Sequence, residues 1–440
     1  MPPPEPTSPA FADDLAANHF DIAGADLLVG GIPVRELAAR YGTPLFIYDG
    51  GVIRRSYRTL AETLSGFARI HYSIKANPAA AVIRLLYEEG AGVEIASLGE
   101  YRAARAAGVK PGDILFAGPA KGARELETVV SGGIGEIHLE SFEEIARLTA
   151  IAARLNATIP VSIRVNPVAS AQGGAMRMGG KPAPFGFDEE TIGEVISKVQ
   201  SAPGLDLRGV HLFAGTQILD EAVLLAQWRH GIDVAGRVAA IAGHPLKTID
   251  LGGGLGIPYF AGDGQLDLAK LSAGLPGLRQ QLKSDPLLAD ARIVVEPGRF
   301  LAGPAGIYVA GINAAKVSRG TRFLITDGGM HHHLAASGNL GQIIKRDYPI
   351  VAPARMNATG RFPATIVGPL CTPLDTLARK AEMPDLGAGD LIAVLQSGAY
   401  GRTASPVGFL SHPLPTEILI ESGKIEVIHL EQDSQAGARH

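Results

Sequence analysis

The chain has a single cysteine, Cys371, so no internal disulfide can form; a lone thiol fits a reducing compartment and is free for chemistry. Charge is also sparse. Asp, Glu, Lys and Arg make up 19% of residues and the net charge is −4, which gives no reason to expect nucleic acid as a partner. No stretch approaches the ~18 uninterrupted apolar residues that a membrane span needs. The opening Met-Pro-Pro-Pro-Glu-Pro lacks the charged-then-apolar pattern of a secretory signal. It reads as a loose leader, residues 431–440 read as a flexible polar tail, and the expected location is the cytoplasm, away from membranes. There is no internal repeat and no long linker.

What the chain does have is apolar mass. Hydrophobic residues are 46% of 440, more than one compact core usually holds, so two domains are expected. Between about residues 45 and 301, short β-branched or apolar runs alternate with amphipathic helices. Runs at 70–74, 92–95, 114–116 and 136–139 lead to helices predicted over 79–89, 98–107, 123–130 and 142–154. Further runs at 161–165, 209–213, 248–251 and 292–295 complete eight strand–helix units, the spacing of a (β/α)8 TIM barrel. From residue 306 the texture changes. Runs at 307–312, 322–325, 363–367, 390–395, 416–420 and 424–429 lack full helices between them and are punctuated by Gly and Pro. They predict a C-terminal, mostly antiparallel β-barrel or sandwich domain. The expected boundaries are 1–44 ahead of the barrel, 45–303 for the barrel, 304–430 for the β domain and 431–440 for the tail.

One barrel strand delivers a lysine. In His71-Tyr-Ser-Ile-Lys75-Ala-Asn77-Pro78, the proline removes a backbone donor and pushes Asn77 out of helical geometry. Lys75 therefore sits at a strand tip, where parallel barrels keep their chemistry. A half-buried lysine there is a candidate Schiff-base former, because desolvation frees the amine; in isolation it would read as a surface lysine in a turn. Five more motifs follow: His211-Leu-Phe213-Ala-Gly215-Thr216-Gln217, Asp250-Leu-Gly252-Gly253-Gly254-Leu-Gly256, Glu296-Pro-Gly-Arg299, Gly368-Pro-Leu-Cys371-Thr372-Pro-Leu-Asp375 and Ser397-Gly-Ala-Tyr400-Gly401.

Six motifs in this order, over roughly residues 40–425, resemble the pyridoxal-phosphate decarboxylases of the alanine-racemase-like fold, the family of diaminopimelate, ornithine and arginine decarboxylases. The resemblance implies pyridoxal 5′-phosphate (PLP) as cofactor, a homodimer with shared active sites, and a strand contributed to the β domain by the segment before Leu45. A protein must give PLP a lysine, a phosphate cradle, a partner for the pyridine nitrogen and a wall for the ring. Lys75 would hold the aldehyde. The bare backbone of Gly253 and Gly254 would take the phosphate, helped by the Thr216 hydroxyl, while Arg299 and Tyr400 match family positions near the cofactor. Glu296 would face the pyridine nitrogen and keep the ring a strong electron sink, which favours a decarboxylase over a racemase. Phe213 would cover the ring face, where the family usually has histidine, leaving His211 a structural neighbour. Cys371 is the implied proton donor to Cα, acting in the other subunit's site, with Arg299, Thr372 and Tyr400 at the substrate. Arg164 and Asn166 end a strand and are candidates by position alone. Plainer readings stand beside these: a tight turn for the glycines, a packed aromatic for Tyr400, a Glu–Arg pair for Glu296, a small buried hydrophobe for Cys371. No metal is expected. His331-His332-His333 cannot all face one ion from a regular strand, and no Asp/Cys cluster accompanies them.

Three departures bear on substrate. The family's cysteine is usually followed by Glu, which holds a distal ammonium; here Thr372 follows. The family's Arg-Pro-x-Leu-Tyr clamp for a distal carboxylate is replaced by the uncharged run from His331 to Asn339. The stretch after Gly401 reads Arg402-Thr-Ala-Ser-Pro-Val-Gly-Phe-Leu-Ser-His412-Pro in place of Met-Ser-Ser-x-Tyr-Asn. Loss of both clamps argues against free diaminopimelate, since a site left without its charge partners rejects such a ligand strongly. The pattern resembles the exosortase-A-associated and butirosin-type branch, whose substrate is tethered to an acyl carrier. The expected reaction is therefore decarboxylation of an amino acid or a carrier-tethered aminoacyl group. The alternatives are free meso-diaminopimelate or, further off, a racemase. A non-catalytic PLP-binding protein is opposed by the second domain, and loss of activity by Lys75 and Cys371.

Overall fold

The structure, a computed structural model, describes residues 9–168, 176–177, 182–213, 215–342 and 345–430. Residues 1–8 of the expected leader, the expected tail at 431–440, and Ala214 of the 211–217 motif lie outside them. The chain forms two compact units. One comprises Tyr57–Ile257 and Gly264–Phe300; the other comprises Met1–Ser56, Pro258–Asp263 and Leu301–His440.

The first unit is a closed barrel. Its strands are β1 (Arg69–Ser73), β2 (Gly92–Ile95), β3 (Ile114–Phe116), β4 (Glu136–Leu139), β5 (Ile159–Asn166), β6 (Leu205–Leu212), β7 (Thr248–Asp250) and β8 (Arg292–Val295). Each pairs in parallel with the next, and β8 pairs with β1 to close the ring. Every expected barrel strand is present. These strands are short and buried on nearly every residue, Ile114–Phe116 being wholly apolar, while Gly92–Ile95 and Glu136–Leu139 each carry a glutamate into the interior. Serines open two of the intervening helices: Ser97 Oγ accepts from Glu100 N at 3.1 Å and Ser141 Oγ from Glu144 N at 3.2 Å. Gly209 lets β6 approach β7 closely, since a Cβ there would stand 1.8 Å from the Thr248 carbonyl oxygen. The barrel interior also holds polar side chains. Glu136, His138, Ser162 and Asp250 are all fully buried.

The second unit is built around a 13-residue strand, Gly306–Ser318. Its first half lies between Leu45–Asp49 and Leu391–Val394, antiparallel to both. Its second half turns at Arg319 and Gly320, both at positive φ, into a hairpin with Thr321–Thr326. The sheet continues through Phe362–Val367 to Thr376–Met383 on one side, and through Thr416–Glu421 to Lys424–His429 on the other. Phe46 and Tyr308, 4.7 Å apart, centre its core. Two features differ from the sequence expectation. Leu45–Asp49, assigned to the start of the barrel, is a strand of this sheet, because a short apolar run looks alike in either setting. Thr376–Met383, Thr-Leu-Ala-Arg-Lys-Ala-Glu-Met, was not anticipated, because Ala, Lys and Glu are poor strand formers and only its pairing makes it one.

Candidate active site

Lys75 follows β1 in a single 3-10 turn, Ile74–Ala76. Tyr72 donates its hydroxyl to the Asn77 carbonyl at 3.0 Å, and Asn77 Oδ1 accepts from Ala79 N at 3.1 Å, so the Asn-Pro corner is fixed from both sides. The Lys75 side chain is 44% exposed, and its Nζ stands 3.0 Å from Oε2 of the buried Glu94 at the end of β2. Ser73 Oγ donates to the same oxygen. The Glu296-Pro-Gly-Arg299 turn leaves the adjacent strand β8 and locks onto the lysine turn. Ser73 N donates to the Pro297 carbonyl at 3.3 Å, and a Cβ on Gly298 would meet Ala76 Cβ at 2.9 Å. Lys75 and Glu296 thus emerge from neighbouring strand tips, and Arg299 opens the short helix Arg299–Ala302.

The glycine turn after β7 packs on this pair. Gly252 and Gly254 have φ of 69° and 105°. Gly252 N donates to Asp250 Oδ1 at 2.8 Å, and Glu296 N donates to the Gly252 carbonyl at 2.8 Å. A Cβ on Gly253 would lie 2.4 Å from the Glu296 carbonyl oxygen, so no side chain fits there. The half-buried Phe213 ring lies over the turn, 3.2 Å from where a Gly252 Cβ would be. Thr216 is held close by: its neighbour Ile218 donates to the Gly254 carbonyl at 2.9 Å, and Gly215–Thr216 forms a two-residue ladder with Met176–Arg177.

Below Glu296 runs a chain of buried charges that the sequence reading did not assemble. Two positions apart on β4, Glu136 and His138 face the same way. Glu136 accepts from the hydroxyls of Ser162 and Thr248 and stands 3.8 Å from the Arg292 guanidinium. His138 Nε2 lies 3.6 Å from Glu136 and 4.0 Å from Asp250. His138 Nδ1 meets His211 Nδ1 at 3.0 Å, and His211 Nε2 stands 3.4 Å from Glu296 Oε2. Burial pushes the Glu296 carboxyl up, but His211, Lys75 and His138 outweigh it and hold it well below the usual carboxylate range. Asp250, fully buried beside that charge, is driven well above its usual value. Burial likewise opposes ionisation of Glu136, and is overcome by His138 and the two hydroxyls. The surroundings therefore favour the carboxylate form of Glu136 and Glu296 and the neutral form of Asp250.

The remaining candidates have contacts of their own. Arg164 pairs with Glu140 at 2.8 Å and lies over the Phe185 ring, while Asn166 donates to Asp188. In the β unit, Cys371 is exposed and Thr372 half-buried, on a turn organised by Asp375. Asp375 accepts from Met330 N at 2.6 Å and Leu370 N at 2.9 Å. Tyr400 has φ of 54°, a strained value for a tyrosine, next to Gly401, whose Cβ would strike the Phe46 ring at 2.8 Å. His331, His332 and His333 are all buried in a turn; His332 is 2.9 Å from the Pro413 carbonyl and His333 is 3.0 Å from Ser397 Oγ.

The barrel residues fit PLP on the structure's own evidence. Glu296 Oε1 is buried with no hydrogen-bond partner, as a carboxylate awaiting a ring N–H would be. The glycine turn admits only bare backbone. The amine at Lys75 is accessible. Of the groups found only in the structure, Glu94 comes from β2 and Glu136 and His138 from β4. The one local signal was a Glu and a His alternating in an otherwise apolar strand.

Comparison with known proteins is consistent with this geometry. A family profile described as pyridoxal-dependent decarboxylase, pyridoxal binding domain, matches residues 51–303. A Niallia circulans decarboxylase of the L-glutamyl group on the BtrI acyl-carrier protein is 38% identical over 398 residues, 90% of this chain and 92% of that protein. Diaminopimelate decarboxylase of Methanothermobacter thermautotrophicus is 33% identical, over 91% of this chain and 92% of its own. The crystal structure of Helicobacter pylori diaminopimelate decarboxylase complexed with L-lysine superposes with a TM-score of 0.81 at 29% identity, covering 91% of this chain and 98% of that one.

Proposed function

The chain belongs to the pyridoxal-dependent decarboxylases, and on that premise we propose that it removes the α-carboxylate of an aminoacyl group held on a carrier protein. The observation that carries this reading is the absence of charge where a free diamino acid would be clamped: Thr372 follows Cys371, and the 331–339 run has no Arg or Tyr. Its three histidines are turned inward and buried at 0–1% exposure. A substrate whose far end is an acyl linkage asks for no charged partner there. The 38% identity to a carrier-linked glutamyl decarboxylase supports the same reading.

Bound PLP supplies the electron sink that takes up the electron pair left on Cα when CO2 departs. In the proposed assignment Lys75 binds the cofactor aldehyde and Glu94 holds its amine in place. The Gly253–Gly254 backbone, Thr216 and Arg299 take the phosphate end, Phe213 covers one ring face, and Glu296 accepts the ring N–H. Tyr400 and Thr372 line the substrate side. Cys371 delivers a proton to Cα, so that the bond to carbon dioxide is replaced by one to hydrogen. The reading includes a homodimer in which Cys371 serves the partner's site. Mixed chains carrying Lys75→Ala and Cys371→Ala then regain activity well above that of either homodimer.

The deciding experiment is CO2 release by PLP-loaded protein. The panel contains free meso-diaminopimelate, lysine, ornithine, arginine and glutamate, alongside glutamyl and related aminoacyl thioesters on a phosphopantetheine carrier. Turnover confined to the thioesters is expected. Fast turnover of free diaminopimelate would sink the tethered reading and return the chain to the alternative.

A further inference from the structure

We infer that Gln217 is a positioning residue for the cofactor phosphate. Its side-chain amide clasps the glycine turn after β7 to the Gly215–Thr216 strand, and so sets the two halves of the phosphate seat against each other. The clasp is reciprocal. Gln217 Nε2 donates to the Ile257 carbonyl at 2.5 Å, and Ile257 N donates to Gln217 Oε1 at 3.3 Å. A carboxamide suits both contacts at once, since it carries a donor and an acceptor on one planar group. Beside it the main chains are joined directly. Ile218 N donates to the Gly254 carbonyl and Gly256 N to the Ile218 carbonyl, each at 2.9 Å. The close approach depends on bare backbone. A Cβ on Gly256 would stand 2.9 Å from the Gln217 carbonyl carbon, and one on Gly254 would stand 3.0 Å from the Gly215 carbonyl oxygen.

Two observations give the clasp a task beyond packing. Gln217 holds a φ of 59°, a left-handed backbone that a glutamine seldom adopts. Such outliers persist where the surroundings over-determine them, and they gather at ligand sites. The clasp also decides which N–H groups remain. It uses those of Ile218, Gly256 and Ile257. Those of Gly253 and Gly254 bond to no described residue. Thr216, which brings the hydroxyl, is the residue before Gln217 and is held in the ladder with Met176–Arg177. Gln217 spends both ends of its amide on Ile257, so its part is to fix the spacing between the Thr216 hydroxyl and the two remaining N–H groups. Donors set in advance for a phosphate bind it without a cost of rearrangement, and a small misplacement weakens them together. The assignment rests on the proposed seat of the phosphate at Thr216, Gly253 and Gly254.

The test compares affinity for PLP with affinity for pyridoxal, which lacks the phosphate. The unaltered protein should prefer PLP. Gln217→Gly keeps the left-handed backbone without strain but removes the clasp. Gln217→Glu keeps the shape but turns a carboxylate oxygen on the Ile257 carbonyl. Each should weaken PLP binding by about tenfold or more, the scale of a hydrogen bond to a charged group, and leave pyridoxal binding unchanged. An unchanged preference for PLP in Gln217→Gly would overturn the inference, because the backbone turn alone would then suffice. Equal losses of both ligands would mean a packing role and overturn it as well. If the variants fail to fold, hydrogen exchange in the unaltered protein decides. Coupling between two sites is reciprocal, so PLP should slow the Ile218 and Ile257 amides more than pyridoxal does, and equal effects would overturn the inference. Should the unaltered protein bind both ligands alike, the phosphate seat itself is wrong and the inference falls with it. A preference kept in Gln217→Gly removes the role of Gln217 alone.

Discussion

Lys75 and Gly253 mark two limits on what a single position tolerates. Lys75→Ala removes the amine of the proposed aldehyde site, and the expected result is protein that lacks the visible absorbance of lysine-bound PLP and releases no CO2. Gly253→Ala keeps every functional group but drives a methyl against the Glu296 carbonyl, 2.4 Å away. A displacement of the turn by about 1 Å should lower the rate about a hundredfold, read as kcat with cofactor in excess. Cys371→Ala should slow product formation by about 10²-fold or more, the scale of a lost proton donor, and solvent-deuterium incorporation at Cα should change with it. Lys75, Glu296 and the glycines were legible because each sits in a local motif whose spacing carries its meaning. Glu94, Glu136 and His138 were not. They meet the lysine, the hydroxyls of Ser162 and Thr248, and His211 across strands, and strand-to-strand neighbours leave no period in the sequence.

Among the elements, the barrel strands were readable because alternation with helices at regular spacing constrains each one. The β unit was harder to read. Thr376–Met383 is a strand through its partner Phe362–Val367 rather than through its own composition, and Leu45–Asp49 carries no mark of which unit it joins. Close approach between elements also depends on single residues. Gly209→Ala would place a methyl 1.8 Å from the Thr248 carbonyl and force β6 from β7. The expected cost is about 3 kcal/mol, at the upper end of ordinary overpacking, read as a shift in the denaturant midpoint at unchanged slope.

For the molecule as a whole, buried histidines set an acid limit. Burial lowers His71 to about 4, and His332 and His333 to about 3, from 6.5. Between pH 6.5 and 4 the unfolded chain binds protons that the folded one refuses, so stability is fully present above 6.5 and declines as pH falls through that window. Glu136 and Glu296, held low in the folded state, add the same sign below about 4.5. The melting temperature should therefore drop between pH 7 and 4.5, and His332→Gln should flatten that drop.

The sheet that takes in Leu45–Asp49 imposes an order on synthesis. As the chain leaves the ribosome, this strand, Leu-Phe-Ile-Tyr-Asp, emerges early, yet its partners at Gly306–Ser318 and Thr416–Glu421 are translated only after every barrel strand. The barrel can close while the sheet still lacks its neighbours, leaving an apolar edge to be shielded by chaperones or by slow elongation. Ribosomes stalled when residue 303 has just cleared the exit tunnel should accordingly carry a protease-resistant barrel and a protease-sensitive segment around Phe46, and release of the full-length chain should protect both.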